Sequence, residues 1–225
     1  MTAGERPRGV VFDLDGTLVD NMDLHAEAFA RFCARHGLPA VTPESRARFD
    51  GRRNRDIFPE LFGRTLADDE LRAFTGEKEG LYRELSCGAL APLPGLLELL
   101  DRLDGAAIPV ALATSAPAEN VEHTLRELRL DQRLTRVVRS DLVARGKPHP
   151  DVFLAAAALL GAPPESCLAF EDAPMGVLAA RAAGMRCVAV TTSFRPEAFA
   201  AQGAVPHETV ADFEEYLAGP GSWLR

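Results

Sequence analysis

Two aspartates separated by one residue are the most informative feature of the chain, in the run Asp13-Leu14-Asp15-Gly16-Thr17. If the backbone leaves a strand here, both carboxylates can face one centre, and Gly16 permits the tight turn that this needs. One carboxylate can attack a phosphorus atom and form an aspartyl phosphate. The second can protonate the leaving oxygen and later activate water. A calcium loop is disfavoured because its glycine would stand at the sixth position, which leaves a plain turn as the main alternative.

Three further positions carry complementary chemistry. Thr114, with Ser115 beside it, ends an apolar run, where a hydroxyl can bind a phosphoryl oxygen, although both residue types also cap helices. Lys147 stands between a glycine and a proline and can neutralise charge on a nucleophile and a phosphoryl group. Glu171 and Asp172 offer oxygen ligands of the kind that Mg²⁺ prefers, or Asp172 caps the next helix. Together these positions indicate Mg²⁺-assisted phosphoryl transfer.

Such residues need a scaffold that brings them to one edge of a sheet. Short apolar runs predict buried parallel strands, and the segments between them have helical signals. Because three of the four candidate positions directly follow predicted strands, they fall where open α/β sheets bind ligands. We therefore predict an α/β fold, with a Rossmann-like parallel sheet core and helices on both faces. The predicted strands are 9–12, 110–113, 136–139, 167–170, 186–191 and a short piece near 209–210. One predicted helix follows the second strand and runs through Arg129, and the others span 151–160, 174–183 and 212–217.

The stretch between the first strand and the Pro92–Gly95 breaker contains only helical or loop signals. Leu24, Ala28 and Phe32 recur at helical spacing, and this helix should end near Gly37. We predict an inserted α-helical cap domain over 19–91, which leaves 1–18 and 92–225 as the core domain. Within the insertion, further helices are predicted over 43–49, 56–62 and 67–85.

Composition limits the classes of partner. Of 225 residues, 47% are hydrophobic and 26% charged, as in globular proteins, and the net charge is −8. An acidic chain is a poor binder of nucleic acid and anionic membranes, so we expect neither as a partner. The N-terminus lacks an apolar signal core and no run is long enough to cross a bilayer. We expect a cytoplasmic protein that is a monomer. The four cysteines, Cys33, Cys87, Cys167 and Cys187, should be reduced thiols that form no zinc site.

The order of the motifs, DLDGT at 13–17, then Thr114, Lys147 and Glu171-Asp172, resembles the haloacid dehalogenase-like superfamily. The helical insertion resembles that of its β-phosphoglucomutase and phosphoglycolate phosphatase-like branch. The resemblance implies that Asp13 is the nucleophile and Asp15 the general acid and base, with Thr114 and Lys147 holding the phosphoryl group.

The same resemblance implies a Mg²⁺ site made by Asp13, the Asp15 backbone carbonyl, Asp172 and Glu171. Dehalogenases resemble this pattern but lack the second aspartate, since a halide leaves without a proton. Asp15 therefore favours a phosphate ester over a halide as the substrate.

Residues near the substrate are also implied. In β-phosphoglucomutase an arginine three residues after a glycine grips the distal phosphate. Here Asn54 stands at that position and Asp50 precedes the glycine, so the chain departs from the mutase, although Arg52, Arg53 or Arg55 could substitute. For the arginines, the alternative is a solvated surface loop. For His25, the alternative is a residue on a helix face that packs against the cap. The expected substrate-binding residues are Gly16, Thr17, His25, Gly51, Arg52, Arg53, Asn54, Lys78 and Ser115.

We thus expect a Mg²⁺-dependent phosphatase acting through an aspartyl phosphate on a small phosphorylated metabolite, either a sugar phosphate or a phosphoglycolate-like acid. A sugar-phosphate mutase of the β-phosphoglucomutase type is the alternative enzyme. A catalytically silent binding protein on the same fold is the third hypothesis. The insertion should close over the site about hinges near 18–20 and 91–95.

Overall fold

Six parallel strands form the sheet at the centre of the protein. The structure is a computed structural model that describes residues 4–219, 222 and 223. The strands are ordered β3-β2-β1-β4-β5-β6, with every neighbouring pair parallel, which confirms the predicted Rossmann-like α/β sheet. Successive strands run outward from β1 on one side and from β4 on the other, so a crevice opens between their carboxyl ends. The strands are β1 (Gly9–Phe12), β2 (Val110–Thr114), β3 (Val137–Arg139), β4 (Cys167–Glu171), β5 (Arg186–Val190) and β6 (Glu208–Val210).

Helices cover both faces of the sheet because its strands are apolar on both sides. In β1, Val10 and Phe12 belong to one buried cluster and Val11 belongs to the cluster on the opposite face. Phe12 stacks on Phe170 at 5.0 Å between ring centroids, which ties β1 to β4 beneath the crevice. The helices are α5 (Leu96–Gly105), α6 (Ala118–Glu127), α7 (Asp151–Leu160), α8 (Pro174–Ala182), α9 (Pro196–Ala201) and α10 (Phe213–Ala218).

Four helices between β1 and α5 form the helical insertion, which has a hydrophobic core of its own. Phe32 and Phe58 stack at the centre of this core with ring centroids 5.2 Å apart. Gly37 ends the first helix in the left-handed conformation, at φ 61°, as its position predicts. The helices are α1 (Met22–His36), α2 (Pro43–Phe49), α3 (Asn54–Phe62) and α4 (Asp68–Ser86).

The two segments that join the insertion to the sheet lie side by side. Val19 forms isolated bridges with Asp15 and Pro92, and Leu93 N donates to Leu18 O at 2.9 Å. Both segments are those predicted as hinges, and their role in movement stays a prediction.

Most predicted elements match within two residues, and the differences have local causes. Helix α3 begins at Asn54, two residues before the predicted start, and α6 ends before Arg129, which has a left-handed φ of 57°. Helices α5 and α9 were not predicted. The leucines of α5 do recur at helical spacing, whereas α9 has only 6 residues, too few to show a period.

No helix among the described residues combines the length and the hydropathy needed to cross a membrane. Cys33, Cys167 and Cys187 are buried free thiols, and Cys87 is an exposed one.

Candidate active site

Asp13 is the first residue after β1, and its buried carboxylate meets two other charged groups at the bottom of the crevice. Lys147 Nζ donates to Asp13 Oδ1 at 2.8 Å and to Glu171 Oε1 at 2.5 Å. The second Glu171 oxygen accepts from the backbone N–H groups of Asp172, at 3.0 Å, and Ala173, at 3.1 Å. Glu171 is thereby held by a side chain from one side and by the backbone from the other.

Three acidic side chains converge at this point. One oxygen each of Asp13, Glu171 and Asp172 lies within 4.8 Å of the others, and all three residues are buried. Burial raises the pKa of Asp13 to about 7 against the opposing charge of Lys147. Burial, together with the charges of Glu171 and Asp13, raises the pKa of Asp172 well above its usual range. When all three carboxylates are ionised, their charge exceeds that of the single ammonium group, and this oxygen donor set fits Mg²⁺.

Two glycines make room for these carboxylates. Gly16 has φ +76°, and a Cβ atom there would stand 2.1 Å from Asp172 Oδ2. In α8, a Cβ atom on Gly176 would stand 1.8 Å from Glu171 Oε1. Gly16 lies against Asp172, and its expected contact with substrate stays a prediction. Gly176 was missed, and its signal is a glycine in the first turn of the helix that follows the acidic pair.

Asp15 lies close to Asp13 in the chain but contacts another set of side chains. Asn21 Nδ2 donates to Asp15 Oδ1 at 2.6 Å, and His25 Nε2 lies 3.5 Å from the same oxygen. Burial acts to raise the pKa of Asp15, but the nearby His25 and the hydrogen bond from Asn21 bring it below its usual value. The Asp15 side chain does not belong to the group of three carboxylates described above.

His25 connects Asp15 to the helical insertion. Its Nδ1 atom lies 3.0 Å from Lys78 Nζ, and its ring stacks on Tyr82 with 3.8 Å between centroids. Asn21 Nδ2 also donates to the Tyr82 hydroxyl at 2.6 Å. His25 is therefore neither a solvated nor a purely packing residue, since it has one charged group at each end of its ring.

A cavity above Asp13 separates the sheet from the insertion. Ten of the predicted residues line it: Asp13, Asp15, His25, Gly51, Arg52, Asn54, Lys78, Thr114, Ser115 and Asp172. Lys147 and Glu171 do not line it, but Lys147 contacts Asp13, which does. Thr17 donates to Asp172 Oδ1 at 3.5 Å.

The hydroxyl residues at the end of β2 do not cap a helix. Thr114 Oγ1 accepts from Ala116 N at 3.0 Å, and Ser115 Oγ donates to Gly51 O in the insertion at 2.7 Å. The N-cap of α6 is Pro117. The capping alternative for Asp172 is also wrong, because the N-cap of α8 is Ala173.

The arginines after Gly51 point to different places. Arg52 borders the cavity, but its guanidinium donates to Asp56 O at 2.9 Å and Glu60 Oε1 at 3.0 Å. Arg53 does not line the cavity and donates instead to Ser140 O of the core at 3.2 Å. Arg55 likewise borders a separate cleft.

Sequence reasoning missed several polar residues of the site. Glu79 is buried, and its Oε1 atom accepts from Lys78 at 3.0 Å and from Asn54 at 2.6 Å. Its Oε2 atom accepts from Asn120 of α6 at 2.6 Å. Ser193 donates to Asp172 Oδ2. These residues come from separate segments with no shared motif, so no spacing in the sequence could have grouped them.

Comparison with known proteins identifies the family. The model of the haloacid dehalogenase-like hydrolase family matches residues 10–190. The chain therefore belongs to this family of hydrolases, as its motifs predict.

Several relatives and one solved structure illustrate its range. Validoxylamine A 7′-phosphate phosphatase of Streptomyces hygroscopicus subsp. limoneus is 34% identical, over 84% of this chain and 88% of its own length. Hexitol phosphatase A of Escherichia coli is 35% identical, over 82% and 83%. A β-phosphoglucomutase of Bacillus subtilis is 30% identical, over 81% and 83%. The crystal structure of a hydrolase from Pseudomonas syringae is 28% identical, with a TM-score of 0.82 over 93% of this chain and 96% of that chain.

Proposed function

We propose that the protein is a Mg²⁺-dependent phosphatase that hydrolyses a small phosphorylated metabolite, a sugar phosphate or a phosphoglycolate-like acid, through an aspartyl phosphate. The observation that carries this proposal is the contact of Asp13 with Lys147, beside the carboxylates of Glu171 and Asp172. A nucleophile, a cation and a hard-metal donor set at one point are what phosphoryl transfer requires.

In the first step, an Asp13 oxygen attacks phosphorus, the new P–O bond forms and the ester P–O bond breaks. Asp15 gives its proton to the leaving oxygen, and Thr114 and Lys147 hold the phosphoryl oxygens. In the second step, water attacks the phosphorus atom, Asp15 takes the proton from the water, and Asp13 is released as a carboxylate. Phosphate and an alcohol are the products.

Mg²⁺ supplies positive charge that offsets the phosphoryl oxygens when it is bound. Asp13, Glu171 and Asp172, with the Asp15 backbone carbonyl, are the proposed groups that hold it. The contacts with Asn21 and His25 hold the Asp15 side chain and lower its pKa, so Asp15 must take up its proton when the negatively charged ester binds beside it.

The helical insertion serves as a cap in this proposal, with residues 19–91 as the cap domain and 1–18 and 92–225 as the core. Closure would exclude bulk water from the first step and place the insertion residues against the leaving group. The cytoplasmic location, the monomeric state and the lack of a nucleic-acid partner stay predictions.

Replacing the nucleophile tests the mechanism. Asp13→Asn retains the shape of the side chain but removes the nucleophilic carboxylate, so we expect turnover to fall at least about 10³-fold. The measurement is phosphate release from an aryl phosphate with Mg²⁺, alongside the melting temperature. Asp141→Asn, at an exposed side chain paired with Arg139, is the control and should keep full activity. Normal turnover by the Asp13 variant would refute the mechanism.

A product assay distinguishes the proposed phosphatase from the two alternatives. With β-glucose 1-phosphate, free phosphate indicates a phosphatase and glucose 6-phosphate indicates a mutase. The wild-type protein should release phosphate from at least one ester, whereas a silent binding protein would release none.

A further inference from the structure

The side of the cavity opposite Asp13 belongs to the helical insertion and differs in character from the phosphoryl site. Its polar lining includes Asp50, Asn54, Lys78 and Glu79. Its apolar lining includes Met22, Phe29, Phe49 and Ile57. If the phosphoryl group of a substrate lies at Asp13, the rest of that substrate faces this wall.

The cations of this wall already have carboxylate partners. Lys78 Nζ lies 3.0 Å from Glu79 Oε1, with both side chains buried. Arg52 pairs with Glu60 at 3.0 Å. Asp50 adds a further carboxylate, which pairs with Arg46 of the insertion at 3.3 Å. A second phosphate or a carboxylate on the substrate would therefore lose its hydration here without gaining a free positive charge.

The same wall offers hydrogen-bond acceptors. Glu79 accepts three hydrogen bonds from Lys78, Asn54 and Asn120, which leaves part of its acceptor capacity unused. Because the Asn54 amide nitrogen donates to Glu79, the Asn54 amide oxygen must face another direction. Among the side chains and backbone groups that the structure describes, none donates a hydrogen bond to that oxygen. Asp50 also lines the same cavity, and its Oδ2 atom pairs with Arg46.

We propose that Asn54, Glu79 and Asp50 determine specificity by accepting hydrogen bonds from hydroxyl groups, so that the enzyme selects monophosphate esters of uncharged polyols. Sugars and sugar alcohols have O–H donors for these acceptors and C–H faces for the apolar wall. The inference rests on the proposed phosphatase function and narrows it, because it removes phosphoglycolate-like acids and bisphosphates from the substrate class.

Paired substrates test this proposal on the wild-type enzyme. Fructose 1-phosphate and sorbitol 6-phosphate are compared with fructose 1,6-bisphosphate and 2-phosphoglycolate, and an aryl phosphate measures the chemistry alone. We expect kcat/KM for the better neutral ester to exceed that for either charged ester by about 10²-fold, since acceptors left unpaired strongly disfavour the wrong ligand.

Two variants connect the preference to the named residues. Asn54→Arg adds a cation to the wall, and Glu79→Gln removes a negative charge with little change of shape. We compare kcat/KM for fructose 1-phosphate with kcat/KM for fructose 1,6-bisphosphate. Each variant should lower this preference at least about tenfold, mainly through a lower KM for the bisphosphate. Glu27→Gln removes an exposed charge on α1 that pairs with Arg31 and should leave the ratio unchanged.

The outcomes separate the two proposals. Hydrolysis of the aryl phosphate with equal or better use of the charged esters would overturn the specificity inference and leave the phosphatase function standing. Failure to hydrolyse any ester with Mg²⁺ would overturn the phosphatase function and the inference together. If a variant does not fold, as judged by its melting temperature, the wild-type comparison still decides.

Discussion

Two opposing effects act on the carboxylate of Asp13. As a nucleophile it must be ionised, yet burial raises its pKa to about 7, while Lys147 at 2.8 Å favours the ionised form. Asp172 has the same conflict without a lysine contact, and burial raises its pKa well above the usual range. A divalent cation would favour the ionised form of both groups.

This conflict predicts a pH-dependent effect of Mg²⁺ on stability. Because the folded pKa of Asp13 exceeds its ordinary value of 3.8, the metal-free protein should lose stability as pH rises from about 4 towards 7. Mg²⁺ binds the ionised carboxylates and restores that stability. The increase in melting temperature caused by Mg²⁺ should therefore be larger at pH 7.5 than at pH 5.5.

Asp172→Asn is the matched variant for this measurement. It removes one carboxylate of the three, so both the Mg²⁺ shift and its pH dependence should shrink. An equal shift at both pH values, or an unchanged shift in the variant, would contradict the assignment of the metal site.

The junction of β4 and α8 illustrates how one element serves the site. The strand ends in Glu171, and the two backbone N–H groups that follow bind the same carboxylate. Helix α8 then passes so close to that carboxylate that only a glycine fits at position 176. The helix therefore holds the acidic pair in place by packing as well as by hydrogen bonds.

Gly176→Ala tests this packing. Alanine normally stabilises a helix by about 1 kcal/mol relative to glycine, but here its Cβ atom would overlap Glu171 Oε1. We expect a net loss of about 1–3 kcal/mol in the free energy of unfolding, from overpacking, with weaker Mg²⁺ binding. Chemical denaturation and Mg²⁺ titration measure the two effects.

Gly76→Ala is the control, because a Cβ atom at this glycine of α4 would meet nothing within 4 Å. It should be neutral or stabilising by up to about 1 kcal/mol. Equal behaviour of the two variants would show that Glu171 does not depend on the space at Gly176.

At the scale of the whole molecule, the cavity exists only while the insertion contacts the core. Ser115 donates to Gly51 O, and Arg53 donates to Ser140 O at 3.2 Å. Gly146 lets the Arg53 side chain pass, since a Cβ atom there would lie 2.6 Å from Arg53 Nε. Residues on both sides of the crevice thus hold the insertion against the core.

Arg53→Gln should shift the protein towards an open arrangement. Loss of a contact worth about 1 kcal/mol corresponds to about a fivefold increase in KM, with little change in kcat. Steady-state kinetics on the best phosphate ester measures this change. Arg31→Gln on the exposed side of α1 is the control and should leave KM unaltered. An unchanged KM in the Arg53 variant would mean that this contact does not hold the insertion closed.

The amino-acid sequence by itself determined the sheet, the insertion and the positions of the core motifs. Buried strands are short apolar runs, and a reactive residue at the end of such a run must lie at one edge of the sheet. Asp13, Thr114 and Glu171 could be placed in this way because topology brings strand ends together whatever the side chains do.

Only the tertiary structure decided which side chains of the insertion face the cavity. The neighbouring residues Arg52, Arg53 and Asn54 were all expected to bind substrate, yet Arg53 donates to the core, whereas Asn54 donates to Glu79. Side-chain direction at a loop-to-helix junction depends on contacts between distant segments, and here the space at Gly146 and the carboxylate of Glu79 set it. The spacing of residues in the sequence does not indicate those contacts. The side of the cavity formed by the insertion could therefore be identified only from the folded structure.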